Sequence, residues 1–124
     1  MSDQQQIENT IQTYFDSSNE SSAEKVHAAF HPNAKITGYT DDGLREIPVS
    51  DYAKLVRSLQ PSPKDKGETL KAEILSIEIA GDTAVARVRD DFVGKTYLDT
   101  LSLIKVDGTW VIYNKLFHIE GPSA

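Results

Sequence analysis

Cysteine is absent from the 124 residues. That excludes a disulfide framework, a thiolate nucleophile and Cys-bound zinc. Histidine is scarce: His27, His31 and His118 stand at no spacing that makes a metal-ligand set, so no metal site is read. No glycine-rich phosphate loop and no G-x-S-x-G elbow occurs, and nothing calls for a cofactor. Basic residues are outnumbered, 13 against 19 acidic, leaving a net charge of −6. Such a chain offers no electrostatic footprint for nucleic acid or an anionic membrane surface. No apolar run approaches membrane-spanning length, and the opening MSDQQQIENT is too polar and acidic to read as a signal peptide. A cytoplasmic location is the expectation.

What remains is ordinary globular material, 39% hydrophobic and 26% charged, long enough for one domain over residues 1–124 with a real core. Its organising stretch is the last quarter, where KTYLDTLSLIKV and TWVIYNKLFHIE flank Asp107-Gly108. Asp-Gly between two β-rich runs predicts a hairpin on a type I′ turn, because both central residues must take positive φ. With the register set by that turn, Lys105 faces Trp110, Leu103 faces Ile112, Leu101 faces Asn114, Asp99 faces Leu116 and Tyr97 faces His118. These ten residues then share one face. Leu98, Thr100, Ser102, Ile104, Val111, Tyr113, Lys115 and Phe117 share the other. Both faces are largely apolar, so both are expected to be covered.

Upstream, Ile7, Ile11, Tyr14 and Phe15 lie on one stripe of a helix from Ser2 to about Ser18, with Ser2 and Gln5 at capping-box spacing. A second helix is expected from a Ser21–Glu24 capping box to just before Pro32. A strand over Ala34–Thr40 and an edge strand over Leu44–Val49 follow, the latter marked by Pro48. Ser50 reads as the cap of a third helix carrying Tyr52, Leu55, Val56 and Leu59. Residues 60–68 form a surface loop. Thr69–Ala80 and Thr83–Phe92 alternate as strands, with Leu75, Ile77 and Ile79 matched to Ala84, Ala86, Val88 and Asp90, and with Arg87 and Arg89 pointing away. Helices segregated from an antiparallel meander mean α+β. A long twisted sheet with one apolar face curls around its helices into a cone whose mouth is a natural ligand pocket.

The FHPNA stretch (Phe30–Ala34) and the terminal YLDTLSLIKVDGTWVIYNKLFH (Tyr97–His118), in this order of elements, resemble the nuclear transport factor 2-like superfamily, and within it the SnoaL-like or "putative lumazine-binding" subgroup. The resemblance implies a cystatin-like α+β cone, three N-terminal helices on a curved, mainly antiparallel sheet. It also implies a homodimer formed sheet to sheet, for which Ile104, Val111, Tyr113 and Phe117 would supply the contact. Enzymes of the superfamily keep acid/base residues in the cone; the Asp/Tyr/protonated-Asp arrangement of ketosteroid isomerase has no residue-by-residue match here. What it implies of function is an uncharacterised small-molecule-binding domain. That domain is either a cofactor-free isomerase, cyclase or dehydratase on a small apolar or carbonyl-bearing molecule, or a non-catalytic homodimeric or protein-interaction module.

On the predicted register Asp99 and His118 are diagonal neighbours, so the carboxylate could orient the imidazole as a general base. Tyr97 and Asn114 stand beside them as candidate donors to an oxyanion. The other reading is a structural polar cluster at the end of the sheet. His31 either faces the cone mouth or braces the bend before Pro32. Asp90 is either an interior base or a solvated turn carboxylate. Tyr14 belongs to the helix stripe and is either a core residue or a ligand contact. Trp110 reads as core and His27 as an exposed helix residue.

Overall fold

The computed structural model describes residues 1–123. Among them are three helices and one six-stranded sheet: α1 (Asp3–Glu20), α2 (Ala23–Ala29), β1 (Phe30–Thr40), β2 (Gly43–Pro48), α3 (Val49–Ser58), β3 (Ala72–Ala80), β4 (Thr83–Phe92), β5 (Lys95–Val106) and β6 (Thr109–Pro122). The sheet runs β2-β1-β6-β5-β4-β3. All neighbours are antiparallel except β1 and β6, which run parallel. The α+β reading therefore holds, and β2 with Pro48 is an edge strand. No helix of the described residues is long and apolar enough to cross a membrane.

The helices follow the residues that predicted them, with shifts at their caps. Ser2 Oγ accepts from the Gln5 amide at 3.1 Å, which starts α1 where its spacing said it would. The polar SSNE stretch stays helical to Glu20. The break comes at Ser21, in the left-handed region with φ 50°. The cap of α2 is accordingly Ser22, which accepts from Lys25, and not Ser21. Helix α3 starts after Pro48 with no side-chain cap, so Ser50 is a helical residue inside its first turn. Strand β1 begins at Phe30, earlier than Ala34, and β3 begins at Ala72, later than Thr69.

The core lies between the helices and one face of the sheet. Ile7, Ile11, Val26, Val56, Leu101 and Ile112 are fully buried there. Trp110 is buried as expected, and its indole N–H donates to Asp3 Oδ1 at 3.0 Å, tying the hairpin to the start of α1. Arg89 points out and pairs with Glu120 at 2.7 Å and Glu73 at 3.6 Å.

Two bulges change which residues face inward. On β3, Ile74 pairs with Val88 and Ser76 with Arg87, so Leu75 is the extra residue and is exposed, while Ile77 and Ile79 keep the expected partners. On β6 the Asp107-Gly108 turn has the predicted positive φ at both positions, 51° and 81°, and the pairs Lys105–Trp110 and Leu103–Ile112 form as read. The next pair is Ser102–Asn114, so Tyr113 is the extra residue. One inserted residue reverses the faces beyond it, here as far as the Tyr97–Ile119 pair, after which the register shifts again at Glu120. Leu101 then faces Lys115, Asp99 faces Phe117, and His118 faces Leu98.

Candidate functional site

The β6 bulge decides the composition of the interior. Without it, Asn114, Leu116 and His118 would line the inner face. With it, Lys115 and Phe117 do, while Leu116 and His118 are exposed. The expected Asp99–His118 pair is therefore not formed: Asp99 is fully buried, and His118 stands on the opposite face of the hairpin. Asn114 is opposite Ser102, half-buried, with its Oδ1 lacking a partner. Phe117, expected on the outer face, turns inward. His31 does not turn toward the interior cluster. Its Nδ1 accepts from the Asn33 amide at 3.0 Å and its ring lies 5.1 Å from that of Tyr113, so it braces the chain around Pro32.

Asp99 instead meets two residues. Tyr14, from the buried stripe of α1, donates its hydroxyl to Asp99 Oδ2 at 2.6 Å. Lys115 Nζ is 4.0 Å from the same oxygen. The ammonium also donates to the Tyr52 hydroxyl of α3 at 3.3 Å. It lies 4.9 Å from the centroid of the Tyr14 ring and 4.7 Å from that of Tyr52. A lysine only 5% exposed is thus held by one carboxylate, one phenol and two aromatic faces. Burial alone would push its pKa down, but Tyr52, Asp99 and Asp90 outweigh that and hold it above its ordinary value. Lys115 therefore stays an ammonium. Tyr14 is driven well above the usual phenol range, chiefly by burial and then by Asp90 and Asp99, and stays a neutral donor.

Asp90 continues the cluster. It pairs across the β4–β5 ladder with Tyr97, while Val88 pairs with Asp99, so the two carboxyls are diagonal neighbours on the inward face. It is 5% exposed, and its Oδ1 has no partner. Burial, then the Asp99 charge, raises it to about 7 against the pull of Lys115. Asp90 is thus an interior carboxyl and not a solvated turn residue.

Two cavities open onto these groups. One, of about 150 Å³, is lined by Lys115, Tyr52, Tyr97, Phe117, Ile36 and Phe92 among others. Tyr97 is half-buried there, its ring against Phe92 and Phe117, and burial raises its hydroxyl. The other, of about 360 Å³, lies between the end of α1, the loop before β3 and the end of β4, with Asp90 in its wall. Phe92 lines both.

Of the residues singled out from the sequence, Asp99, Tyr14, Tyr97 and Asp90 stand in or beside this interior cluster, which also contains Lys115 and Tyr52, not singled out there. Either alternation mixes polar and large apolar residues on the inner face, Asn114, Leu116 and His118 in one and Lys115 and Phe117 in the other, so hydrophobicity does not choose between them. Tyr52 was read as part of the α3 stripe. Only the Lys115 ammonium beside it gives its hydroxyl a role.

An aldolase of Cladobotryum sp., FrzH, is 29% identical over 111 residues, covering 88% of this chain and 85% of its own. A solved structure from Methylobacillus flagellatus KT, described as an NTF2-like protein of unknown function, is 30% identical with a TM-score of 0.84 over 96% of this chain and 93% of that one. A second, from Shewanella baltica OS155 and described in the same way, is 28% identical with a TM-score of 0.83 over 96% and 94%. Residues 2–118 match the family described as "Putative lumazine-binding", and the chain belongs to that family, within the nuclear transport factor 2-like superfamily.

Proposed function

We propose that the chain is a cofactor-free acid/base enzyme acting on a small, largely apolar carbonyl compound through an enolate. The observation that carries this reading is the buried Lys115 ammonium on the wall of the smaller cavity and the Asp90 carboxyl on the wall of the larger, with Phe92 lining both, so that the substrate would reach from one to the other. A base is most effective when its pKa lies near the working pH, and about 7 suits Asp90. Its carboxylate takes a proton from the carbon next to the carbonyl. The C–H electron pair becomes the enolate, and its negative oxygen is met by the Lys115 ammonium, with the Tyr52 and Tyr97 hydroxyls as further donors. Returning the proton to another carbon isomerises the substrate. Attack of the enolate carbon on a second carbonyl forms a carbon–carbon bond, and the new alkoxide takes the proton. Asp99 and Tyr14 position Lys115. That the FrzH relative is named an aldolase supports the carbon–carbon version. Because Lys115 stays protonated, it serves as a charge and not as an amine nucleophile.

The test is deuterium exchange at the α-carbon of simple cyclic ketones in D2O, followed by NMR. The wild-type chain is expected to accelerate exchange, and Asp90→Asn to lose about a hundredfold or more of the acceleration. Lys115→Met is expected to lose a comparable factor, while His118→Ala retains the rate. No acceleration above buffer across the ketones, or acceleration indifferent to Asp90→Asn, would overturn the reading.

A second observation favours a homodimer formed through the outer sheet face. Tyr113, Leu116 and Val85 are 43%, 49% and 37% exposed there, more apolar surface than scattered side chains require. Sedimentation equilibrium decides it: a monomer at micromolar concentration removes the sheet-to-sheet assembly and leaves the enzyme reading intact.

A further inference from the structure

The wall of the smaller cavity carries two cations, Lys115 and Arg45, and no Asp or Glu, in a chain whose net charge is −6. The register of the sheet edge puts Arg45 there. On β2, Arg45 pairs with Gly38 and Ile47 with Ile36, and directly opposed residues share a face. Ile36 is buried, and a Cβ on Gly38 would meet the inward Phe117 ring, so this is the inner face. Arg45 is exposed while Lys115 is 5% exposed, so the guanidinium stands at the mouth and the ammonium at the floor. The Lys115 charge is offset by Asp99 at 4.0 Å. Arg45 has no such partner: among the described residues its side chain makes no ion pair and no hydrogen bond. Glu46, next in sequence, points to the outer face, where it meets Thr37 at 3.0 Å and Lys35 at 3.8 Å. The volume of about 150 Å³ is that of a cavity known to hold benzene, so one small ring fits.

We propose that this cavity binds a small apolar monocarboxylate, its ring or branched body inside and its carboxylate on Arg45 at the mouth. A guanidinium offers two parallel N–H donors to the two oxygens of a carboxylate. The ligand's charge stays at the wet end, which avoids the cost of carrying a carboxylate into the interior. Ile36, Ile47, Leu55 and Phe117 receive the apolar body. An ammonium ligand would meet like charge at the mouth and at the floor. An alcohol makes no charge contact with Arg45. On the enzyme reading given above, on which this one step rests, the substrate is a keto acid: its carbonyl points inward to Lys115 while Arg45 holds the other end. Arg45 then sets specificity by touching the substrate away from its reacting carbon.

The experiment uses the full chain at pH 7 and three probes built on one ring: benzoate, benzyl alcohol and benzylammonium. Calorimetry gives affinity, and amide chemical shifts locate binding. Benzoate is expected to bind about tenfold or more tighter than the alcohol, with shifts centred on Ile36, Ile47 and Phe117, and benzylammonium not to bind there. Arg45→Met removes the charge from an exposed position on an edge strand and leaves the core untouched. It is expected to weaken benzoate about tenfold and leave the alcohol unaffected. Arg45→Glu, the second variant, is expected to reverse the order of benzoate and benzylammonium. Benzoate no tighter than the alcohol, no benzoate binding, shifts centred elsewhere, or benzoate binding that survives both variants would overturn the proposal. None of these readouts depends on turnover, so a failed ketone exchange and a failed benzoate titration remain separate results.

Discussion

The Tyr14 hydroxyl donates to Asp99 Oδ2 at 2.6 Å, joining two residues 85 positions apart in the chain and both fully buried. Among the described residues it is the one direct hydrogen bond on that carboxylate, since Asp99 Oδ1 has no partner and Lys115 stands at 4.0 Å. Tyr14→Phe keeps the ring and removes the donor. A buried carboxylate then loses its short contact, which is expected to cost about 2 kcal/mol. Urea denaturation at pH 7 measures it. A loss within about 0.5 kcal/mol, the range of surface substitutions, would mean that the bond contributes little.

Lys115→Met is nearly isosteric and takes the one cation away from Asp99, Asp90 and Tyr52. Breaking a buried charge cluster from one side is expected to cost about 3 kcal/mol or more, because carboxyls are left without compensation. Adding Asp99→Asn removes one of those carboxyls, so the double variant is expected to be more stable than Lys115→Met alone. A double-mutant cycle at pH 7 reads the coupling directly. Additive losses would contradict the pairing inferred from the 4.0 Å separation.

The two halves of the closing hairpin were unequally legible. Asp107-Gly108 announces its turn because few residue pairs accept two successive positive φ values, and the ladder is read correctly from Val106 to Leu103. Tyr113 carries no such mark. A bulge there is favoured by its surroundings: β1 runs alongside through Pro32, which has no amide to donate, and the β1–β6 register itself shifts between Phe30 and Lys35. That pairing brings together residues some eighty positions apart, so no local pattern shows it. The tertiary cause explains why Asp99, Asp90 and Tyr14 were found and why Lys115 was exchanged for His118. The inward residues of β4 needed no such information, since Ala84, Ala86, Val88 and Asp90 alternate without interruption.

Gly38 of β1 is held to glycine by the same reversal. A Cβ built on it would lie 2.6 Å from three atoms of the inward-turned Phe117 ring. Gly38→Ala must therefore push that ring into the cavity of about 150 Å³ that it lines. Overpacking of this kind costs about 1–3 kcal/mol. A lower denaturation midpoint is expected, together with slower ketone exchange. Unchanged stability would place the Phe117 ring elsewhere, on the outer face that strict alternation predicts.

Asp90 makes stability depend on pH with a definite sign. Unfolded, it titrates near the ordinary value of about 4; folded, it titrates at about 7. Between those values the folded chain holds a proton that the unfolded chain has released, so stability falls as pH rises. The contribution is fully present below about pH 4 and lost by the time pH passes the folded value. A gap of this size corresponds to a few kcal/mol. Asp90→Asn removes the titration and leaves a neutral side chain of the same shape. It is expected to be more stable than wild type at pH 8, to lose that advantage by about pH 5, and to flatten the profile between. Guanidinium denaturation of both proteins across that range checks it. Parallel profiles, offset by a constant, would mean that Asp90 titrates alike in the folded and unfolded chain, and would take away the base on which the proposed chemistry rests.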